Sequence, residues 1–428
     1  MAATALKAAP LSAPATNPRT ARSRGGMIWY AVLTLIALAG LGAIAYRAYY
    51  GLATTHLTTQ MPWGAWVAFY IFFVGLSAGA FLLSSMVYVF GMEQFEKVGR
   101  VALLSAIISM FIALAFIGLD LGRMDRALNA MIYFNWTSPL AWEVRFYAVY
   151  IALLIGELWL SMRQDLVRQS QGTGLPAKVA GWLTFGRTDL SGESGERDHR
   201  WLKILGTIGV PIAIFGVHGG TGTIFAIVKA RAIWFGGLFP VIFILSALVS
   251  GTALITVIAA ARDWVAGRKL DEKLIFDLGR VLLLFLFIDL GLEFYEFLVA
   301  GMSLIPHELE TLKVMTTSHM AWSFWGVQLL LGGILPTILL LLPRRSAKTI
   351  IAAAAMVVVG IIGVRFNIVV PPLVTPVLEG LPMPDYVPSL IEWVSSAGLF
   401  SMALLMLSVA NELLPLDASE SLEVNLHE

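Results

Sequence analysis

The residues able to do chemistry fall into three groups. The segment 118–147, GLDLGRMDRALNAMIYFNWTSPLAWEVRFY, carries Asp120, Arg123, Asp125, Arg126, Glu143 and Arg145, although only 13% of the chain is charged. Asp120, Glu143 and Arg145 lie within strongly apolar runs or at their edges, where a charge is expensive and needs a partner or a function. Asp120 and Arg123 are three apart and can pair along a helix. Glu143 and Arg145 are two apart, so each needs its own partner, and interfacial snorkelling is the plain alternative for Arg145. Trp142, beside Glu143, is a candidate pocket wall or an interfacial belt residue like Trp29, Trp63, Trp66 and Trp136.

The second group is Asp289, Glu293 and Glu296, whose spacing puts three acids on one helix face. They read as a proton path or as a buried hydrogen-bonded cluster. Glu157, toward the inner end of another apolar run, would serve an inner half-channel or simply face a loop. The third is His218, followed by Gly219-Gly220-Thr-Gly222. Small neighbours leave room for a cavity, and a neutral imidazole can donate or accept a proton near physiological pH. A carboxylate in the same pocket would serve as a second proton acceptor. A headgroup contact is the alternative. His319 and Arg365 read as packing or loop-pairing residues, and His56 and His307 as ordinary loop histidines.

Other chemistries are excluded. With no cysteine there are no disulfides, Cys-ligated iron–sulfur clusters or covalent haem links. The six histidines offer no mid-span pair for a b-type haem. No spacing of His, Asp and Glu suits zinc or di-iron, so no metal site is expected. No Walker loop or nucleophile elbow occurs. The glycine run after His218 follows no strand, so close helix packing is its reading. A net charge of +1 gives no hint of nucleic-acid binding.

The elements that hold these groups are membrane helices. The chain is 58% hydrophobic with mean hydropathy +0.80, and apolar runs of about 20 residues recur, enough to cross a bilayer core. Ten spans are predicted: 27–50, 62–91, 99–122, 139–162, 202–219, 235–262, 274–301, 319–342, 348–370 and 389–414. The fifth is short and open to extension. The polar insert 163–201 reads as a loop. Residues 1–26 carry no acid and read as disordered, with a signal peptide cleaved near Ala43-x-Ala45 as the competing idea. Lys and Arg favour the loops on the N-terminal side by more than two to one. That asymmetry predicts both termini inside and segment 118–147 outside.

The chain also repeats itself. Gly99-Arg-Val-Ala-Leu-Leu matches Gly279-Arg-Val-Leu-Leu-Leu, and Ser138-Pro-Leu-Ala-Trp142 matches Ser318-His-Met-Ala-Trp322, both at an offset of 180. Ser77-Ala-Gly79-Ala resembles Ser250-Gly251-Thr-Ala. These point to an all-α integral membrane fold with two parallel-repeat four-helix bundles, spans 2–5 and 6–9, flanked by spans 1 and 10. The divisions are 1–26 (disordered N-terminus), 27–61 (span 1 and outer loop), 62–230 (first bundle), 231–370 (second bundle) and 371–428 (outer loop, span 10, tail). Glu143, Arg145 and Arg123 have no charged counterparts in the second copy, where Ser323, Trp325 and Ser303 stand.

Read together, several stretches resemble the polysulfide-reductase membrane-subunit family, the NrfD/PsrC type, in its ten-span HybB-like or alternative-complex-like branch. They are Pro62-Trp-Gly64; Asp120-Leu-Gly-Arg123 with Asp125-Arg126; Thr137-Ser-Pro-Leu-Ala-Trp-Glu143; Gly209-Val-Pro211 leading to His218; Ala230-Arg231 with Trp234; Ser250-Gly-Thr-Ala; and Arg365-Phe-Asn-Ile-Val-Val-Pro371. Met124 departs from a common Pro, and Gly219-Gly220 from the usual Ser/Thr and Val. The resemblance implies a subunit without haem or iron–sulfur cluster of its own that binds quinone or quinol (menaquinone or ubiquinone) near the outer surface. An outer iron–sulfur protein, and a further catalytic or cytochrome subunit, would be its partners in a prokaryotic cytoplasmic membrane, with lipid around it. His218, Asp120 and Glu143 are then expected to exchange protons with the quinone, beside Arg123, Arg145 and Trp142. An ion-coupled transporter using Asp289, Glu293 and Glu296, or a non-catalytic anchor, are the competing readings.

Overall fold

The computed structural model describes residues 24–378 and 380–417. Residues 1–23 of the expected disordered arm, and the tail from 418, lie outside the described residues. In bilayer hydrocarbon a backbone must satisfy its own hydrogen bonds, and helices do so within one segment. The described residues are accordingly helical, without strands.

In order these are α1 (Arg24–Tyr50), α2 (Ala65–Tyr88), α3 (Glu96–Asp120), α4 (Asn129–Ile132), α5 (Pro139–Ser170), α6 (Leu175–Leu183), α7 (Gly192–Pro211) and α8 (Gly219–Ala226). There follow α9 (Leu238–Val265), α10 (Glu272–Met302), α11 (Pro306–Thr317), α12 (Leu335–Leu341), α13 (Ala347–Val374) and α14 (Leu390–Leu413). Two π-helical stretches, Ile212–His218 and Ser323–Ile334, join α7 to α8 and lead into α12. Both spans stay continuous through them, so neither is broken as the transporter reading would favour.

Local signals set the starts. Ser138 caps α5 with Pro139 at its first turn, Asp271 caps α10, and Ser389 with Glu392 forms a reciprocal capping box on α14. Among the described residues nine spans are long and apolar enough to cross a membrane. The tenth expected span is α10, 31 residues long, whose three acids lower its apolarity. The insert 163–201 is not a loop: α5 runs on to Ser170, α6 follows, and α7 starts at Gly192. Its charges mask short amphipathic helices that extend beyond the apolar runs.

Helix α2 is the hub and is buried almost throughout. It packs on α3, α9, α13 and the α7–α8 span, while α1 and α14 pair on the other side of α3. Helices α2 and α9 cross where a Cβ on Gly79 would strike the Ala247 carbonyl and one on Gly251 would strike Gly79. These are the glycines of the two similar stretches. Trp66, expected in an interfacial belt, is instead fully buried and donates to Ser395 Oγ at 3.0 Å. The ends segregate. Lys97 meets Asp271 at 2.7 Å at one, and Arg231 binds the Pro372 and Thr375 carbonyls at the other. Following the charge asymmetry, the second is called the outer end.

Candidate functional site

His218 closes the first π-helical stretch. Pro211, just before it, lacks an N–H and disturbs the i→i−4 ladder, and the wider turn absorbs the defect. Such π stretches are frequent at functional sites. His218 is 1% exposed, and neither ring nitrogen has a hydrogen-bond partner among the described residues. Gly75 of α2 faces it. A Cβ there would lie 3.8 Å from His218 Nε2, 3.5 Å from Arg365 Nη2 and 3.4 Å from Ser250 Oγ. An imidazole, a guanidinium and a hydroxyl thus converge where α2 presents no side chain.

One turn past His218, Thr221 Oγ1 lies 2.8 Å from the Tyr147 hydroxyl. Tyr147 donates to Glu143 Oε1 at 2.6 Å, and Tyr70 donates to the same oxygen at 2.9 Å. Glu143 is 2% exposed. A buried carboxylate needs such donors, and the three hydroxyls tie it to the helix that carries His218.

Arg145 does not hold Glu143, contrary to expectation. It donates to the Ala130 and Met131 carbonyls at 3.3 and 2.6 Å and lies 3.7 Å over the Phe134 ring, so it clamps the outer loop. Trp142 is half-exposed and packs with Phe134, Trp136 and Phe146. A Cβ on Gly216 would collide with Phe146, so this aromatic group reaches the π stretch from outside.

Asp120 does not pair with Arg123 either. Arg123 binds Asp125 through two bonds of 2.9 and 2.8 Å, both side chains well exposed. Asp120 feels the charges of Arg47 and Glu392 on the flanking helices, and its Oδ1 is buried without a partner among the described residues. The helix end turns the two side chains apart.

Arg365 is the main correction. It is not a loop-pairing residue but is fully buried in α13. It donates to Ser246 Oγ at 3.0 Å and lies 4.7 Å over the Phe243 ring. Its charge acts on His218 from one side and on Asp289 and Glu293 from the other. Asp289 and Glu293 are buried, and Gln328 Nε2 donates to Glu293 at 3.3 Å while Asn367 Nδ2 donates to Gln328 at 2.8 Å. Glu293 and Glu296 border a cavity of about 40 Å³. Glu157 is buried with both oxygens unpartnered among the described residues, against Gly206 and Gly209 of α7. His319 does pair in the outer loops, with Asp385 at 3.3 Å.

Tyr70, Tyr147, Thr221, Ser246, Gln328 and Asn367 escaped the sequence reading. Single hydroxyls and amides inside apolar helices carry no pattern, and only their partners on other helices mark them.

The matching family description is polysulphide reductase, NrfD, over residues 53–377. The chain belongs to the NrfD family. Among NrfD relatives it is 38% identical to a subunit of the selenate reductase of Mesobacillus selenatarsenatis, over 91% of this chain and 94% of that one. It is 27% identical to the Hdr-like menaquinol oxidoreductase integral membrane subunit of Archaeoglobus fulgidus, over 92% and 94%. It is 24% identical to the menaquinone reductase integral membrane subunit of Nitratidesulfovibrio vulgaris, over 92% and 93%. NrfD relatives of these kinds are membrane subunits of redox complexes, and this chain is a multi-pass integral membrane protein of the same family. Among the described residues no cluster of His, Asp and Glu can hold a metal ion.

Proposed function

We propose that this chain is the quinone- or quinol-binding membrane subunit of a multi-subunit respiratory oxidoreductase, seated in a prokaryotic cytoplasmic membrane with both termini inside. The observation that carries this reading is the buried His218 imidazole, whose two nitrogens are left unpaired beside the side-chain-free face of Gly75. Buried polar atoms are almost always satisfied, so a pair left open points to a ligand. A bound menaquinone or ubiquinone supplies two-electron, two-proton carrier chemistry.

The chain's own residues then have distinct tasks. His218 donates or accepts a proton at a ring nitrogen. Glu143, oriented by Tyr70 and Tyr147, handles the second through the Thr221 hydroxyl. The aromatic group of Trp142 and Phe146 shields the outer approach. Arg365 fixes the charge between His218 and the acids of α10, which gives protons a route into the second bundle. Asp120 stands apart and is assigned to the flanking helices. Electrons pass to or from an outer iron–sulfur protein and a further catalytic or cytochrome subunit, for which the loop clamped by Arg145 is a suitable platform. The names of the menaquinol and menaquinone relatives support the quinone.

Purification of the intact complex tests this. Quinone-linked turnover is expected, falling about 10²-fold or more in His218→Ala and Glu143→Gln, with Asp120→Asn milder. Unchanged turnover and inhibitor binding in both of the first two variants would sink the assignment. A transporter would not bring an iron–sulfur protein with it, and an anchor would hold no quinone.

A further inference from the structure

The inner end carries a second site, unrelated to His218. A cavity of about 400 Å³ opens there between the end of α5 and the start of α7. Arg163, Arg187, Arg197 and the Thr188 hydroxyl line its polar side, and Leu160 and Trp201 its apolar side. Arg163 is buried and committed. It pairs with Asp198, donates to Ser194 Oγ at 2.7 Å and to the Asp189 carbonyl at 2.7 Å. The Asp189 carboxylate, also at the rim, accepts from the Ser191 N–H at 2.9 Å. Arg187 and Arg197 have no carboxylate within ion-pair distance among the described residues. Arg197 meets only Ser194 Oγ, at 3.3 Å, and Arg187 lies 5.8 Å over the Trp159 ring.

The level of this cavity is set by helix length. At 32 residues α5 is about 48 Å long, well beyond a hydrocarbon core of about 30 Å. Its sequence turns polar at Arg163, and that of α7 turns apolar after Arg200. Leu160 and Trp201 therefore sit at the lipid boundary and the arginines at headgroup depth. The rim is aromatic: Trp182 is 74% and Phe185 67% exposed. Phe185 has φ +49°, a left-handed conformation that a bulky residue rarely adopts. The Trp159 indole holds this corner by donating to the Leu183 carbonyl at 2.8 Å. Strain that turns a phenyl ring outward, above two uncommitted arginines, fits a surface meeting lipid.

We propose that this cavity binds the phosphate headgroup of an acidic phospholipid, with Arg187 and Arg197 on the phosphate and the lipid's acyl chains running along Leu160, Trp182 and Trp201. The intact complex, delipidated in mild detergent and exposed to vesicles of phosphatidylglycerol or phosphatidylcholine, tests this by native mass spectrometry. Phosphatidylglycerol should be retained one per chain and in preference to phosphatidylcholine. The double variant Arg187→Gln/Arg197→Gln should weaken retention on the order of thirtyfold, with quinone-linked turnover in detergent unchanged. Equal retention by the variant, or no preference between the two lipids, overturns the proposal. Displacement by millimolar inorganic phosphate would mark a free-anion site and overturn the lipid assignment. The lipid preference and phosphate arms need no variant, so they decide even if the variant fails to fold.

Discussion

Gly75 faces the His218 imidazole with no side chain between them, and a Cβ added there would sit 3.8 Å from Nε2. That is ordinary contact distance, so alanine fits. It would also favour the helix by about 0.5–1 kcal/mol. Gly75→Ala is therefore expected to keep or raise the Tm in detergent while lowering quinone-linked turnover about tenfold, because the methyl occupies the space where His218, Arg365 and Ser250 converge. Unchanged turnover would show that this space is not used.

Glu143 depends on the hydroxyls of Tyr70 and Tyr147. Removing one donor from a buried carboxylate costs about 1–3 kcal/mol. Tyr147→Phe should lower the Tm and shift the pH profile of turnover, since it also cuts the link to Thr221. Tyr70→Phe should lower the Tm and leave that profile closer to wild type. Identical profiles for the two variants would remove Thr221 from the proton route.

Arg365 separates His218 from Asp289 and Glu293. Breaking a buried charge network by removing one partner typically costs about 3–5 kcal/mol. Arg365→Gln should therefore be poorly folded on its own, and adding Asp289→Asn should recover much of the Tm. The double-mutant cycle reads the coupling. Additive losses would mean that the two residues do not share a network.

At the inner end, Asp417 bonds Arg262 and Arg268 at 2.9 and 3.0 Å. Burial alone would raise its carboxyl, but the two arginines outweigh that and hold it below the ordinary value. A depressed carboxyl contributes stability above its unfolded pKa of about 3.9 and loses it as pH falls through the folded value. The side chain is 53% exposed, so solvent screening limits the contribution to about 1 kcal/mol or less. The Tm of the full chain should drop slightly below about pH 4, and Asp417→Asn should flatten that drop.

The helices were legible because a bilayer admits little else. Ten expected spans have helical counterparts within a few residues, except where polar ends extend α5 and α7 beyond the apolar runs. The site was legible only in part. Glu143 and His218 stood out because charge and imidazole are conspicuous among leucines. Their partners did not, since Tyr70, Thr221 and Arg365 come from three other stretches of chain. Arg123 and Asp120 misled for a physical reason. An i,i+3 pairing assumes that the helix continues, and α3 stops at Asp120.

The three acids of α10 also bear on how the protein is made. At the centre of a helix an acidic residue opposes entry into the membrane by about 2.5–3.5 kcal/mol. The balancing cation, Arg365, lies in α13 and is synthesised later. We expect α10 to leave the translocation machinery as a marginal span that settles only when α13 arrives. Chains truncated after α11, tagged there for accessibility, should expose that tag on both sides of the membrane, and chains extended through α13 on one. A single orientation in the truncated chain would show that α10 commits alone.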